Sequence, residues 1–160
     1  MWSRLWGSTN GRKWSKCYAI DKSKDAIEYA LKKYSHKNLN YTIGDITKLE
    51  FNDNSFEVIT CFEVIEHIED YQKLLKELRR VLCKDGICII STPNKKLYSP
   101  NSEPQYIHHV KEWYLGEFID ILNEYFSEVT EYGKKNFNGK FVKDKVNENA
   151  DISFVAVAKK

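Results

Sequence analysis

The chain of 160 residues is long enough for one domain and too short for two. Its 42% apolar, 14% aromatic and 30% charged residues place it well away from disordered, collagen-like or low-complexity chains. A net charge of +2, with 21 Lys and only 4 Arg, gives no electrostatic case for nucleic acid or an anionic membrane as partner. No apolar run approaches the ~20 residues that cross a bilayer. No secretory h-region opens the sequence, so a cytoplasmic protein without a membrane span is expected. Cys17, Cys61, Cys83 and Cys88 lack Cys-x-x-Cys spacing, and they are expected as free thiols with no metal site.

Residues 1–16 carry three tryptophans, Trp2, Trp6 and Trp14, and show neither a helical nor a strand period. From Cys17 the pattern becomes regular. Cys17–Ile20 reads as a short buried strand ending at Asp21, and Ser23 is the expected N-cap of a helix striped by Ala26, Ile27, Ala30, Leu31 and Tyr34. Residues 38–43 form a second strand, ending at Gly44-Asp45. A turn at 52–55 leads to a β-branched strand over 56–62. Tyr71, Leu74, Leu75, Leu78, Val81 and Leu82 repeat at helical spacing, with Lys84 and Gly86 as the expected stop.

The apolar run 87–90 predicts a strand covered on both faces. Residues 91–104 hold all three prolines and read as a long loop. Leu115, Phe118, Ile119, Leu122 and Tyr125 mark another helix. Strands near 126–132 and 153–158 close the chain. Alternating strands and helices predict an α/β fold. Its sheet would be mostly parallel and Rossmann-like, with helices on both faces and an antiparallel C-terminal strand pair.

In such sheets ligands sit beyond the carboxyl ends of the strands. Asp21 follows the first regular strand, where a carboxylate can accept from vicinal ribose hydroxyls or simply charge a helix N-terminus. Asp45 can accept from an adenine amino group or form a turn. Glu63, Glu66 and His67 crowd two acids and an imidazole after the 56–62 strand, a setting for acid–base chemistry. The alternative is that Glu66 charges a helix start while His67 packs.

Taken in order, Ala19-Ile20-Asp21-Lys22-Ser23, Ile43-Gly44-Asp45-Ile46, Cys61-Phe62-Glu63-Val64-Ile65-Glu66-His67 and Ile90-Ser91-Thr92-Pro93-Asn94 resemble class I S-adenosylmethionine-dependent methyltransferases. The branch they resemble includes ubiquinone- and menaquinone-pathway enzymes, and His109-Val110-Lys111-Glu112-Trp113 is similar to a stretch before its last helix. The resemblance implies S-adenosyl-L-methionine as cofactor and a small-molecule, glycan or lipid-precursor acceptor. Asp21, with Lys22 beside it, would hold the ribose hydroxyls. Asp45 and Ile46 would read adenine, and Glu63 would border the methionine moiety. Glu66, His67 and His109 would face the acceptor, with His67 or His109 as general base if the acceptor must lose a proton.

One family element is missing: the first, central strand and the acid-x-Gly-x-Gly-x-Gly turn after it. Residues 1–16 are therefore set apart as an atypical N-terminal segment, and residues 17–160 as the methyltransferase-like domain. Reading the opening codons one base later permits a Cys-Gly-x-Gly-x-Gly run, so the segment reads as a frameshift relic of that turn. Loss of the central strand would leave two strands without a shared neighbour, with edges expected to pair either with another chain, as in a homo-oligomer, or with the Trp-rich opening segment. A non-catalytic binding or assembly module is the competing reading. A nicotinamide oxidoreductase also uses an acid after its second strand, but it needs its own glycine turn.

Overall fold

The computed structural model describes residues 3–7, 16–100, 104, 106–134 and 146–160. The expectations that rest on Trp2, Trp14 and the rest of 8–15 lie outside the described residues.

Short-range chemistry accounts for the helix ends. In α1 (Lys24–Lys33) the Ser23 hydroxyl accepts from the Ala26 N–H at 3.2 Å, while Asp25 in the first turn and Lys32 and Lys33 in the last complement the helix dipole. In α2 (Tyr71–Val81) Asp70 caps the Lys73 N–H at 3.0 Å, and Leu74, Leu75, Leu78 and Val81 form the fully buried stripe. This helix stops at Val81, before the predicted Lys84-Gly86 signal. Leu82 is already extended and pairs with Phe56, so the turn at Asp85, in the left-handed region at φ 62°, falls inside strand β5 (Leu82–Pro93). The predicted loop 91–104 is also shorter than expected. Residues 91–93 finish β5, and Asn94 caps the short α3 (Lys95–Tyr98).

The other strands are β1 (Ser3–Gly7), β2 (Lys16–Asp21), β3 (Leu39–Ile43), β4 (Phe56–Phe62), β6 (Glu128–Lys134) and β7 (Ser153–Lys159). They form one sheet in the order β3-β2-β1-β4-β5-β7-β6. β2 pairs with β3, and β4 with β5, in parallel; β6 and β7 form the expected antiparallel pair, with β7 against β5. Helix α1 packs on β2 and β3, whereas α2 and α4 (Leu115–Tyr125) pack on each other and on the β5–β7 side. Phe56 and the partly buried Tyr18 and Phe51 meet edge to face, with centroids 4.9–5.8 Å apart. Arg80 ties the 49–53 loop down through the carbonyls of Leu49 and Phe51 and the carboxylates of Asp53 and Glu77.

Of the two outcomes expected for the exposed edges, the structure shows pairing with the opening segment. Ser3–Gly7 lies between β2 and β4 and gives both the shared neighbour they would otherwise lack. It runs antiparallel to both. The eight residues 8–15 that join it to β2 are too few for the dozen or more that a parallel crossover needs, so only the antiparallel direction is open. Ser3 therefore stands beside Ile20 and Cys61, at the carboxyl ends of the neighbours. Gly7 stands beside Lys16 at the opposite end. No helix of the described residues is long and apolar enough to cross a membrane. Cys17, Cys61 and Cys88 are buried, as expected, and Cys83 is partly exposed.

Candidate functional site

β2 and β3 end together, with Asp21 opposite Ile43, and both chains then turn over the carboxyl edge of the sheet. Asp21 Oδ1 accepts from the Ser23 N–H at 2.8 Å, so the acid holds the turn into α1. Gly44 donates to the Asp21 carbonyl at 3.1 Å, and a Cβ at Gly44 would come within 3.2 Å of Ile20 Cγ2. Asp45 Oδ1 accepts from both the amide and the hydroxyl of Thr47, at 2.8 and 2.7 Å. Those two bonds, the hydroxyl's first, hold the Asp45 carboxyl below its usual range. Both readings of each aspartate are thus compatible: each forms its local turn, and each side chain lines a cleft.

That cleft has a volume of about 1140 Å³, ample against the roughly 300–1,000 Å³ of small-molecule sites. Asp21, Lys22, Asp45 and Ile46 line one wall; Val64, His67, Tyr106 and His108 line the other. Glu63 does not line it. Its backbone takes the left-handed region at φ 52°, a conformation that costs a non-glycine residue about 1 kcal/mol or more. Ser91 secures it: the Glu63 N–H donates to the Ser91 carbonyl and hydroxyl oxygens, and the Ser91 hydroxyl donates to Glu63 Oε1 at 2.6 Å. Glu63, expected beside the methionine moiety, is thus tied to the end of β5.

The bend at Glu63 leads into a 3₁₀ turn (Ile65–His67) that aims Glu66 inward, where it is fully buried. The Glu66 carbonyl accepts from the amides of Val110 and Lys111 at 2.7 and 3.2 Å, and this pins the 106–112 segment over the turn. Residues 42 positions apart in sequence thereby meet: the rings of His67 and His109 pack edge to face with centroids 5.0 Å apart. His67 Nδ1 lies 2.7 Å from the His108 carbonyl. A carbonyl only accepts, so Nδ1 carries the proton and Nε2 the lone pair.

Burial decides the charges here. Among the described residues both Glu66 oxygens lack a hydrogen-bond partner, and the nearby Thr92 hydroxyl sits outside bonding geometry. Burial, aided by the charges of Glu63 and Glu112, pushes the Glu66 carboxyl up to about 8. Burial also pushes His67 down, so at neutral pH the 3.7 Å contact between Glu66 Oε1 and His67 Nε2 joins two mostly uncharged groups. Glu66 and His109 lie behind the cleft wall that His67 shows to the opening. One ligand atom each from Glu66, His67 and His109 fall within 4.8 Å of one another, a carboxylate and imidazole set that suits a divalent cation. Tyr106, His108 and Glu112 were not among the predicted site residues. The first two sit in a loop without a periodic pattern, and Glu112 had only its place in the His109–Trp113 stretch to mark it.

A family model described as a methyltransferase domain matches residues 4–90, more than half of the sequence. The chain belongs to this methyltransferase-domain family. The match begins at Arg4, within the segment that sequence reading sets apart. Residues of the domain are 44% identical, over 85 positions, to a ubiquinone biosynthesis O-methyltransferase of Rickettsia typhi, covering 50% of this chain and 34% of that one. They are 32% identical, over 78 positions, to a ubiquinone/menaquinone biosynthesis C-methyltransferase of Desulfotalea psychrophila, covering 48% and 32%. The chain thus spans about a third of the length of these relatives. A SAM-dependent methyltransferase structure from Thermotoga maritima superimposes with a TM-score of 0.72 over 88% of this chain and 72% of that one, at 19% identity. That likeness establishes the fold.

The residues fit one half of S-adenosylmethionine better than the other. Asp21, Gly44, Asp45 and Ile46 line the cleft together and supply carboxylate acceptors of the kind that ribose hydroxyls and an adenine amino group need. The methionine half needs a glycine turn after the central strand, where backbone N–H groups can come close without Cβ clashes. In this domain the residue after β1 follows Gly7, which sits at the far end of the sheet from Asp21.

Proposed function

We propose that this domain binds S-adenosylmethionine through its adenosine half and belongs to an enzyme that methylates a small-molecule, glycan or lipid-precursor acceptor in the cytoplasm. The observation that carries the reading is the convergence of Asp21 and Asp45 on one wall of a cleft whose other wall presents His67. The cofactor, when bound, supplies a methyl group on a sulfonium. Asp21 would hold the ribose hydroxyls, with Lys22 beside it, and Asp45 with Ile46 the adenine. His67, which keeps an Nε2 lone pair and is held neutral by burial, takes a proton from an acceptor hydroxyl or amine. His109 stands next to it as a second base.

Removing the Asp21 carboxylate would leave two ribose hydroxyls unpaired, a cost of about 1–3 kcal/mol. S-adenosylhomocysteine titrated calorimetrically into the parent and into Asp21→Ala is expected to show that loss. Equal affinities would reduce Asp21 to a turn former. His67→Ala and His109→Ala are expected to slow single-turnover methylation by about a hundredfold for whichever is the base, with cofactor affinity unchanged. Unchanged rates in both would leave positioning as the whole of catalysis. Binding without turnover on any acceptor would favour the non-catalytic module.

The 4.8 Å cluster of Glu66, His67 and His109 supports a second reading, a divalent cation at the acceptor end. The metal would then displace the Glu66 proton to solvent, so that Mg²⁺ or Mn²⁺ binding, followed by calorimetry, would release a proton below pH 8 and would be lost in Glu66→Gln. Residues 1–16 remain in our reading a frameshifted form of the missing glycine turn. The nucleotide sequence of the gene tests this, since a plus-one frame without glycine codons at that place would end it.

A further inference from the structure

Glu112 lies three residues after His109 and, unlike the acids on the cleft rim, it is almost without exposure. Its Oε1 stands 2.6 Å from His109 Nδ1, with both side chains buried, at 0% and 6% exposure. Its position is stiffly determined. The next residue, Trp113, is fully buried between Tyr71 and Phe118, its carbonyl accepts from the Lys95 N–H, and it forms a β-bridge with Asn94. On the other side, the Lys111 amide is held by the Glu66 carbonyl. The carboxylate is therefore carried on backbone anchored at both ends.

We propose that Glu112 is the positioning residue for His109. Two lone pairs do not approach to 2.6 Å, so a proton lies between the two atoms; carried on Nδ1 of His109 it donates to Oε1 and leaves the lone pair on Nε2. His67 reaches the same tautomer by a different device, the His108 carbonyl. The two imidazoles, with ring centroids 5.0 Å apart, then offer matching Nε2 lone pairs, one tautomer set by a side chain and one by backbone. This assignment rests on the reading of His109 as part of the acceptor end, and it gives that end a requirement the cleft wall does not show: a fixed acceptor nitrogen on His109 whatever the approaching group is.

The test reads the tautomer directly. In the metal-stripped protein at pH 8, long-range proton–nitrogen NMR is expected to show His109 wholly as the Nδ1–H form. Glu112→Gln, whose amide oxygen still accepts, should keep that form. Glu112→Leu should release it toward the Nε2–H form that free imidazole prefers, and Glu112→Asp should restore part of it. In methylation assays the Leu variant should lose about tenfold or more in kcat with the KM for S-adenosylmethionine unmoved, and the Gln variant should keep most of it. An Nε2–H form of His109 in the parent, or an unchanged ring in Glu112→Leu, overturns the proposal. Loss of the form in Glu112→Gln would also overturn it, by assigning the effect to charge. The NMR readout needs neither cofactor nor turnover, so its failure is distinguishable from failure of the methyl-transfer reading.

Discussion

Replacing Glu66 by Gln is expected to make the protein more stable at pH 8.5 than the parent, and to remove most of the fall in stability that the parent shows between pH 5 and 8. The folded state holds the Glu66 proton up to about pH 8, whereas an unfolded chain releases it near 4.5. Between those values unfolding releases a proton, so stability is full below the lower value and falls as pH rises toward the upper one. A shift of that size corresponds to a few kcal/mol, on the order of 1.4 per pH unit. Glutamine keeps the volume and has no charge to bury. Urea unfolding of parent and variant at pH 5, 7 and 8.5, in the presence of a chelator, reads the difference. Parallel pH profiles would mean that Glu66 is ionised in the folded protein at neutral pH.

Adenosine and S-adenosylmethionine are expected to bind this chain within severalfold of one another, and both weakly. In the proposed reading the adenosine half would meet Asp21, Asp45 and Ile46, which line the cleft. The methionine half would meet the carboxyl ends of β2 and β4, where Ser3 of an antiparallel strand stands. Several hydrogen bonds at about 1 kcal/mol each are then not made, which removes about a hundredfold in affinity. Calorimetric titration with both ligands decides it. S-adenosylmethionine binding a hundredfold tighter than adenosine would show that the opening residues do anchor the methionine end.

The site's two halves differ in how much of them could be read beforehand. The first wall is local: Asp21 is the last residue of β2, Asp45 lies two residues past β3, and each acid closes a turn with a residue two positions on. The second wall depends on distant pairs. Glu66 and His67 are close to His109 only because the Glu66 carbonyl takes the amides of Val110 and Lys111, and backbone bonds between non-periodic segments leave no sequence signal. The left-handed backbone of Glu63 and its bond to the Ser91 hydroxyl are likewise long-range features that the strand pattern does not announce.

The sequence by itself determined the alternation of strands and helices from Cys17 onward, the helix caps at Ser23 and Asp70, and the acids at the strand ends. Each of these follows from side-chain period, capping chemistry or turn preference within a few residues. Only the tertiary structure decided what fills the centre of the sheet. Ser3–Gly7 has too little apolar pattern to announce a buried strand, yet β2 and β4 present two rows of backbone groups that must be paired. An eight-residue link to β2 leaves one direction in which to pair them. That direction puts Gly7, the last residue of the strand, beside Lys16 and so at the opposite end of the sheet from Asp21.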